Sequence, residues 1–234
     1  MKLEYRNSTR AGFFWQALVQ LVTLVFPWPL RRCLYLLLIP GWHISAAAKI
    51  SRFSLVLCTQ LRMGDGSSIK PLVYLGSMKS VFLSPGSSVG MLNWISGSYP
   101  SPKSFGYRRG CMRLGRAAAI TSMDRVDCSG GIGIGAMSIL AGYFTQVLTH
   151  GVDLYECRQA FSPVRIGRYC FVGTRATILP GSTMHDCSAL AASSLLLGVK
   201  SIKSYTLAAC VPAVFKKNLP SSTAFFTRRH GYVS

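Results

Sequence analysis

One aliphatic side chain recurs at every sixth position through the second half of this chain. Counted from Ile166, the series runs Ile166, Val172, Ile178, Met184, Leu190 and Leu196. The same spacing links Leu114, Ile120, Val126 and Ile132; Met63, Ile69, Leu75 and Val81; Ile44, Ile50 and Val56; and Leu83, Val89 and Ile95. Glycine often follows the aliphatic, as at Gly64, Gly76, Gly90, Gly115, Gly167 and Gly173. A helix buries residues three and four apart and a half-buried strand every second one, so a period of six excludes both. It fits a chain that turns a corner after each short strand and points one side chain inward per face. Three faces make one turn of a triangular prism, and stacked turns bury a continuous aliphatic column, each covered by its neighbours. Small residues at the corners suit tight, sometimes left-handed, backbone. The spacing predicts an all-β parallel solenoid over 43–213, with breaks near 96–113 and 151–164.

The first 42 residues read differently. Ala11 to Leu30 carries no charge, and Cys33 to Trp42 adds a second apolar run beyond Arg31 and Arg32. The stretch before Pro27 is 16 residues, short of the roughly 20 that a spanning helix needs. No small-x-small site follows it, which argues against a cleaved leader. Lys2, Arg6 and Arg10 precede the run and Arg31 and Arg32 follow, placing positive charge on both sides. Such flanks suit a segment that enters and leaves the same, cytoplasmic, face of a membrane. Trp15, Trp28 and Trp42 are expected at head-group depth. Residues 11–42 are therefore read as a helical re-entrant or interfacial anchor, the competing reading being a helix buried against the following domain. Residues 214–234 form a basic tail.

Charge and thiols bound the remaining classes. There are 26 Lys and Arg against 7 Asp and Glu, a formal net charge of +19. That excess favours a polyanionic partner, membrane head groups or a phosphate-bearing ligand. The aromatics do not interleave with basic residues as in a nucleic-acid module, so no nucleic-acid partner is expected. Eight cysteines show neither CxxC pairs nor zinc-ligand spacing; they read as small hydrophobes filling a core, with no metal site. Gly130 to Gly135 lacks a following helical pattern and reads as a corner, not a dinucleotide loop.

The stretch ITSMDRVDCSGGIGIG…VLTHGVDLYE…VRIGRYCFVGTRATILPGS…YTLAACVPA resembles the hexapeptide-repeat acyltransferases, and among them the bacterial O-acetyltransferases of surface-polysaccharide synthesis. The resemblance spans Leu114 to Ala213, with weaker repeats from Ile44. Cys210 stands where that family usually has Gly, Val214 where it has Lys, and Met184-His185 where it has an aliphatic followed by Gly. The resemblance implies a left-handed parallel β-helix, a homotrimer with sites shared between chains, acetyl-CoA as co-substrate and a sugar or glycolipid acceptor. The competing function is a catalytically silent, membrane-bound scaffold or lipid-binding β-helix.

Acetyl transfer to an alcohol needs a base near neutrality as the hydroxyl attacks. By resemblance His150, in Thr149-His150, is that base. Its other ring nitrogen needs an acceptor, and Asp127, Asp153 and Glu156 are candidate carboxylates in the matching region. Asp153 is a candidate to orient the imidazole, while Asp127 resembles the position that meets the acceptor sugar. For the CoA side, Gly173, Ala191, Ala192 and Lys200 are candidates along a groove between coils, with Lys216 and Lys217 for its phosphates. The segment Ser96 to Arg113, with Tyr107, Arg108, Arg109 and Arg113, is a candidate for the second chain's contribution or for an anionic acceptor group.

Overall fold

In a computed structural model, residues 10–97, 110–198, 200–231 and 233 are described. The period-six segments form short strands stacked in parallel on three faces. Face A carries β1 (Trp42–Ile44), the second halves of β3 (Leu55–Met63) and β5 (Tyr74–Leu83), β8 (Cys111–Leu114), β11 (Ile132–Ile134), β16 (Val164–Ile166), β19 (Thr183–Met184) and β22 (Ser201–Ile202). Face B carries β2 (Lys49–Ile50), β4 (Ser68–Ile69), β6 (Ser88–Val89), β9 (Ala119–Ile120), β12 (Ile139–Leu140), β17 (Phe171–Val172), β20 (Ala189–Leu190) and β23 (Thr206–Ala209). Face C carries the first halves of β3 and β5, then β7 (Trp94–Ser96), β10 (Arg125–Asp127), β13 (Gln146–Val147), β18 (Thr177–Ile178) and β21 (Leu195–Leu196). Because β3 and β5 run unbroken round a corner, faces A and C join into one sheet.

The register explains the period. On face B, Ile50, Ile69, Val89, Ile120, Leu140, Val172 and Leu190 stand one above another, and all are buried. The series from Ile166 to Leu196 is likewise wholly buried. Each side chain in the column contributes about 1.5–3 kcal/mol of burial, and none is covered until the next coil is in place. On the step from face B to face C one coil departs from six: Leu140 and Val147 are seven apart, and Gly142, at φ +89°, lies in the corner that takes up the additional residue.

The glycines and corners divide the work differently from the sequence expectation. The left-handed corner positions fall mostly on residues with side chains, among them Leu72, Leu92, Tyr169, Arg175 and Cys187. The glycines after the aliphatics serve close stacking instead. A Cβ on Gly115 would lie 2.5 Å from the Ala136 nitrogen, and one on Gly173 2.5 Å from the Ala192 nitrogen. The corners tolerate about 1–2 kcal/mol of left-handed strain each because their amides pair with the next coil, as Tyr169 N–H does with the Ala136 carbonyl (2.9 Å).

Helices α1 (Arg10–Val22) and α2 (Trp28–Leu38), joined by a 3₁₀ turn (Thr23–Val25), close the first coil. Gln16 and Gln20, one helical turn apart, pair with the open edge of β3. Gln16 donates to the Cys58 carbonyl (3.1 Å) and accepts from the Cys58 N–H (3.0 Å); Gln20 does the same at Val56 (2.8 and 3.0 Å). Two primary amides thus stand in for a missing strand, satisfying backbone groups whose loss would cost about 1–3 kcal/mol each. The three tryptophans expected at head-group depth turn their indole N–H groups inward: Trp15 donates to Leu38, Trp28 to Ala48 and Trp42 to Cys58 (2.9, 2.8 and 3.1 Å). Trp42 and Tyr35 are buried. No described helix is long and apolar enough to cross a membrane. The opposite side of this cap is bare, with Phe14, Leu21, Val22, Val25 and Leu37 all exposed.

At the other end, β24 (Val214–Asn218) pairs antiparallel with β23. The short helix α3 (Ala224–Thr227) follows, and the chain then turns back along face B. There Phe225 meets Phe171 edge-on (5.8 Å) and Arg228 donates to the Met137 carbonyl. Of the cysteines, Cys58, Cys128 and Cys170 are buried as core filler and Cys187 is buried at a corner, whereas Cys33, Cys157 and Cys210 lie at the surface.

Candidate active site

Both breaks in the period fall at one edge of the solenoid, where the chain passes from face C to face A. The first lies between β7 and β8. The second is an antiparallel hairpin between β13 and β16, formed by β14 (His150–Asp153) and β15 (Arg158–Phe161). Between them the intervening coil crosses the same edge by a tight turn from Cys128 to Gly131. That turn must be small: a Cβ on Gly130 would stand 2.3 Å from the Thr149 carbonyl oxygen. The coil carrying Thr149 therefore lies directly against the one carrying Asp127.

This stacking brings His150 to Asp127. Nδ1 of His150 is 2.8 Å from Oδ2 of Asp127. The same oxygen accepts from the Thr149 N–H (2.8 Å) and the Thr149 hydroxyl (2.7 Å), while Oδ1 accepts from the N–H (3.0 Å) and hydroxyl of Ser129. Thr149 is itself locked, its hydroxyl oxygen accepting from the Gly130 N–H (2.8 Å). Burial works to raise the pKa of Asp127, but the hydrogen bonds from Ser129, Thr149 and His150 outweigh it and hold the carboxyl below its usual range. An ionised carboxylate only accepts, so Nδ1 is the donor in this contact, and in the neutral imidazole the lone pair falls on Nε2. The Asp127 side chain is 13% exposed and that of His150 39%, which leaves the imidazole within reach of a ligand. Its ring lies 6.1 Å from that of Phe161 on the returning strand.

Asp153 is not part of this arrangement. It caps the hairpin turn, its Oδ1 accepting from the N–H groups of Tyr155 (3.1 Å) and Glu156 (3.2 Å). Its place three residues along an outgoing strand carries it away from the imidazole, and the acceptor comes from the preceding coil. Gly173, Ala191 and Ala192 share the edge between faces B and C in consecutive coils, a different edge from that of His150. Lys200 precedes β22 on the edge of His150, two coils further on, and lines a cavity of about 560 Å³ with Lys203 and Phe215. Lys216 and Lys217 are exposed on β24, where Lys217 pairs with Leu207. Tyr107, Arg108 and Arg109 lie outside the described residues. Arg113 belongs to β8, its guanidinium 4.8 Å from the Phe82 ring centre.

Beside the pair, a groove of about 280 Å³ runs over face C. Its floor includes Trp94, Arg125 and Gln146, adjacent in register on successive strands. The sequence reading passed over these residues and Ser129. Each of the three immediately precedes an inward aliphatic (Ile95, Val126, Val147), so aligning the coils would have set them in a row. Among the described residues, no group of three or more His, Cys, Asp or Glu is gathered as metal ligands would be.

No protein-family model matches the chain, and no curated protein matches it. Solved structures do. The polysialic acid O-acetyltransferase OatWY superposes with a TM-score of 0.58 at 16% identity, over 76% of this chain and 84% of that one. A hexapeptide-repeat-containing acetyltransferase of Vibrio cholerae aligns at 24% identity and a TM-score of 0.42, over 47% of this chain. That match spans 63% of the Vibrio chain, under two thirds of its length. The same protein from the O1 biovar eltor, complexed with acetyl coenzyme A, aligns at 21% identity and 0.46, over 58% and 72% of the two chains. The likeness to OatWY establishes a shared fold.

Proposed function

We propose that this protein is an acetyl-CoA-dependent O-acetyltransferase that modifies a sugar hydroxyl in surface-polysaccharide or glycolipid synthesis. The observation that carries the reading is the 2.8 Å contact between His150 Nδ1 and Asp127 Oδ2, which leaves Nε2 as a free base on an accessible edge of the solenoid. The acceptor hydroxyl loses its proton to Nε2 as its oxygen attacks the thioester carbonyl carbon. The tetrahedral intermediate then collapses, the carbon–sulfur bond breaks, and the imidazolium returns the proton to the departing CoA thiolate. Asp127 orients the ring and stabilises the imidazolium without taking the proton. His150→Ala is expected to lower acetyl-CoA turnover by about 10²–10⁴ with CoA affinity little changed. A variant that keeps more than a tenth of the activity refutes the assignment.

In this reading the solenoid winds left-handed and three copies close around an axis, each cleft holding CoA along one wall. Light scattering on the purified protein tests the assembly, and an active monomer overturns it. The N-terminal cap rests on the cytoplasmic face of a membrane through Phe14, Leu21, Val22, Val25 and Leu37, with Arg10 near anionic head groups. Removing residues 1–42 would also uncover the β3 edge, so exposed-face changes are the cleaner test. Leu21→Glu combined with Val25→Glu should abolish sedimentation with anionic vesicles while leaving the melting temperature within a few degrees; unchanged sedimentation argues against the cap as the anchor.

A further inference from the structure

We infer that the face C groove beside His150 is a specificity subsite for a carboxylate-bearing sugar, with Arg125 taking the carboxylate and Trp94 the sugar ring. The inference rests on the acetyltransferase reading above and names its acceptor class. Outward positions on face C form two rows. Trp94, Arg125 and Gln146 make the first; Ser96 and Asp127, two residues further along the same strands, belong to the second. Arg125 and Asp127 therefore project from the same side of β10, while Val126 between them is buried. Alternate residues on a strand stand about 7 Å apart, so a sugar ring lying between the rows reaches both the guanidinium and the Asp127–His150 pair.

Each side chain has a feature that its place in the fold does not require. Trp94 is 51% exposed, although an outward position on a short strand needs no indole. Tyr74 packs against it at 4.6 Å between ring centres, which fixes the ring as a flat platform. An exposed, immobilised aromatic face offers apolar surface to the C–H groups of a sugar while leaving its hydroxyls wet. The Arg125 guanidinium lies 5.9 Å from the Trp94 ring centre. The ion pairs among the described residues are His150–Asp127 and Arg168–Asp186, so Arg125 has no carboxylate partner. A guanidinium presents a planar fork matched to a carboxylate. Asp127, the carboxylate that lines the groove, is already engaged by five donors and does not compete. Gln146, beside Arg125, adds an amide for a ring hydroxyl. An aromatic platform, an unpaired cation and an amide converging beside an acid–base pair select an acidic sugar over a neutral one.

The test uses matched probes: oligosaccharides of glucuronic acid or N-acetylneuraminic acid, and the same oligosaccharides with the carboxylate reduced to an alcohol. Binding is measured by calorimetry on the full chain without acetyl-CoA, and transfer is measured separately as thioester cleavage. At least one of the acidic probes should bind the wild-type protein about tenfold or more tighter than its reduced form. Arg125→Gln should remove that preference, and Trp94→Ala should weaken both forms together, with Trp94→Phe restoring part of the loss. In turnover, Arg125→Gln should raise KM for the acidic acceptor at least tenfold, with kcat within about threefold and KM for acetyl-CoA unchanged. The inference fails if no probe binds, if acidic and reduced forms bind alike, or if Arg125→Gln changes KM for acetyl-CoA instead. Selective binding without any thioester cleavage would sink the acetyltransferase reading and leave the acidic-sugar site standing.

Discussion

Two carboxylates stand three residues apart, Asp124 just before β10 and Asp127 at its end; both are withdrawn from solvent, and their pKa values are pushed in opposite directions. Asp127 receives five hydrogen bonds and its pKa is lowered. Asp124 is 1% exposed, accepts one bond from the Thr145 N–H (2.9 Å), and its Oδ2 has no partner. Burial raises Asp124 to about 7, and the Thr145 bond only partly opposes it. Both groups feel desolvation, so burial alone does not separate them. What differs is the number of donors that the neighbouring coils deliver. The edge between faces C and A has a tight glycine turn and a hairpin, which bring Ser129, Thr149 and His150 around one carboxylate. At the edge between faces B and C single side chains link successive coils, Asn93 Oδ1 accepting from the Asp124 N–H and Asp124 Oδ1 from the Thr145 N–H, which leaves Asp124 half satisfied. The first arrangement suits a charge that organises chemistry, the second a group that is neutral in acid and costly when ionised.

Asp127→Asn attacks the contrast at its strongest point. An amide NH₂ facing Nδ1 favours the tautomer with the proton on Nε2, so turnover should fall by about 10³–10⁴ with the fold retained. Loss of less than tenfold would show that the ring does not depend on this acceptor. Thr149→Val keeps the shape but removes two of the linking bonds, leaving the Gly130 N–H unpaired. Denaturant titration should show about 1–3 kcal/mol of lost stability, and a neutral result would mean that water replaces the hydroxyl.

Asp124→Asn should act with the opposite sign. A raised folded pKa means that the folded protein holds this proton more tightly than the unfolded chain. The group's contribution is therefore fully present below the unfolded value near 3.9 and is lost as pH rises toward about 7. The asparagine variant should be more stable than the parent at pH 8 by about 1–2 kcal/mol, with the gap closing by pH 4 and turnover unchanged. Parallel stability curves across that range would contradict the assignment. For Asp127 the depressed pKa reverses the window: its contribution is present above the unfolded value and lost as pH falls through the folded one. Ser129→Ala, removing one of five donors, is the mildest change. It should narrow that acid limb slightly and cost about 0.5–1.5 kcal/mol, measured by urea unfolding at pH 4 and pH 7.

The chain's solenoid architecture was legible because its cause is local. An inward aliphatic every six residues is written into each coil, and the register of Ile50 through Leu190 on face B follows from repeating it. His150 was singled out by the resemblance of Thr149-His150, and it stands where the repeat breaks. The partners of outward-facing groups were not. Asp127 lies 23 residues before His150, and Asp153 is only three residues along. Which one meets the imidazole depends on the glycine turn, the seven-residue step at Gly142 and the direction of the hairpin. Trp94, Arg125 and Gln146 form a row only once the coils are stacked. The cap of Gln16 and Gln20 on β3 could not be read from an apolar run, because its cause is an unpaired strand edge that exists only after folding. The hydrophobic period is a property of the sequence; hydrogen-bond satisfaction across coils is a property of the assembled solid, and the tertiary structure alone decided it.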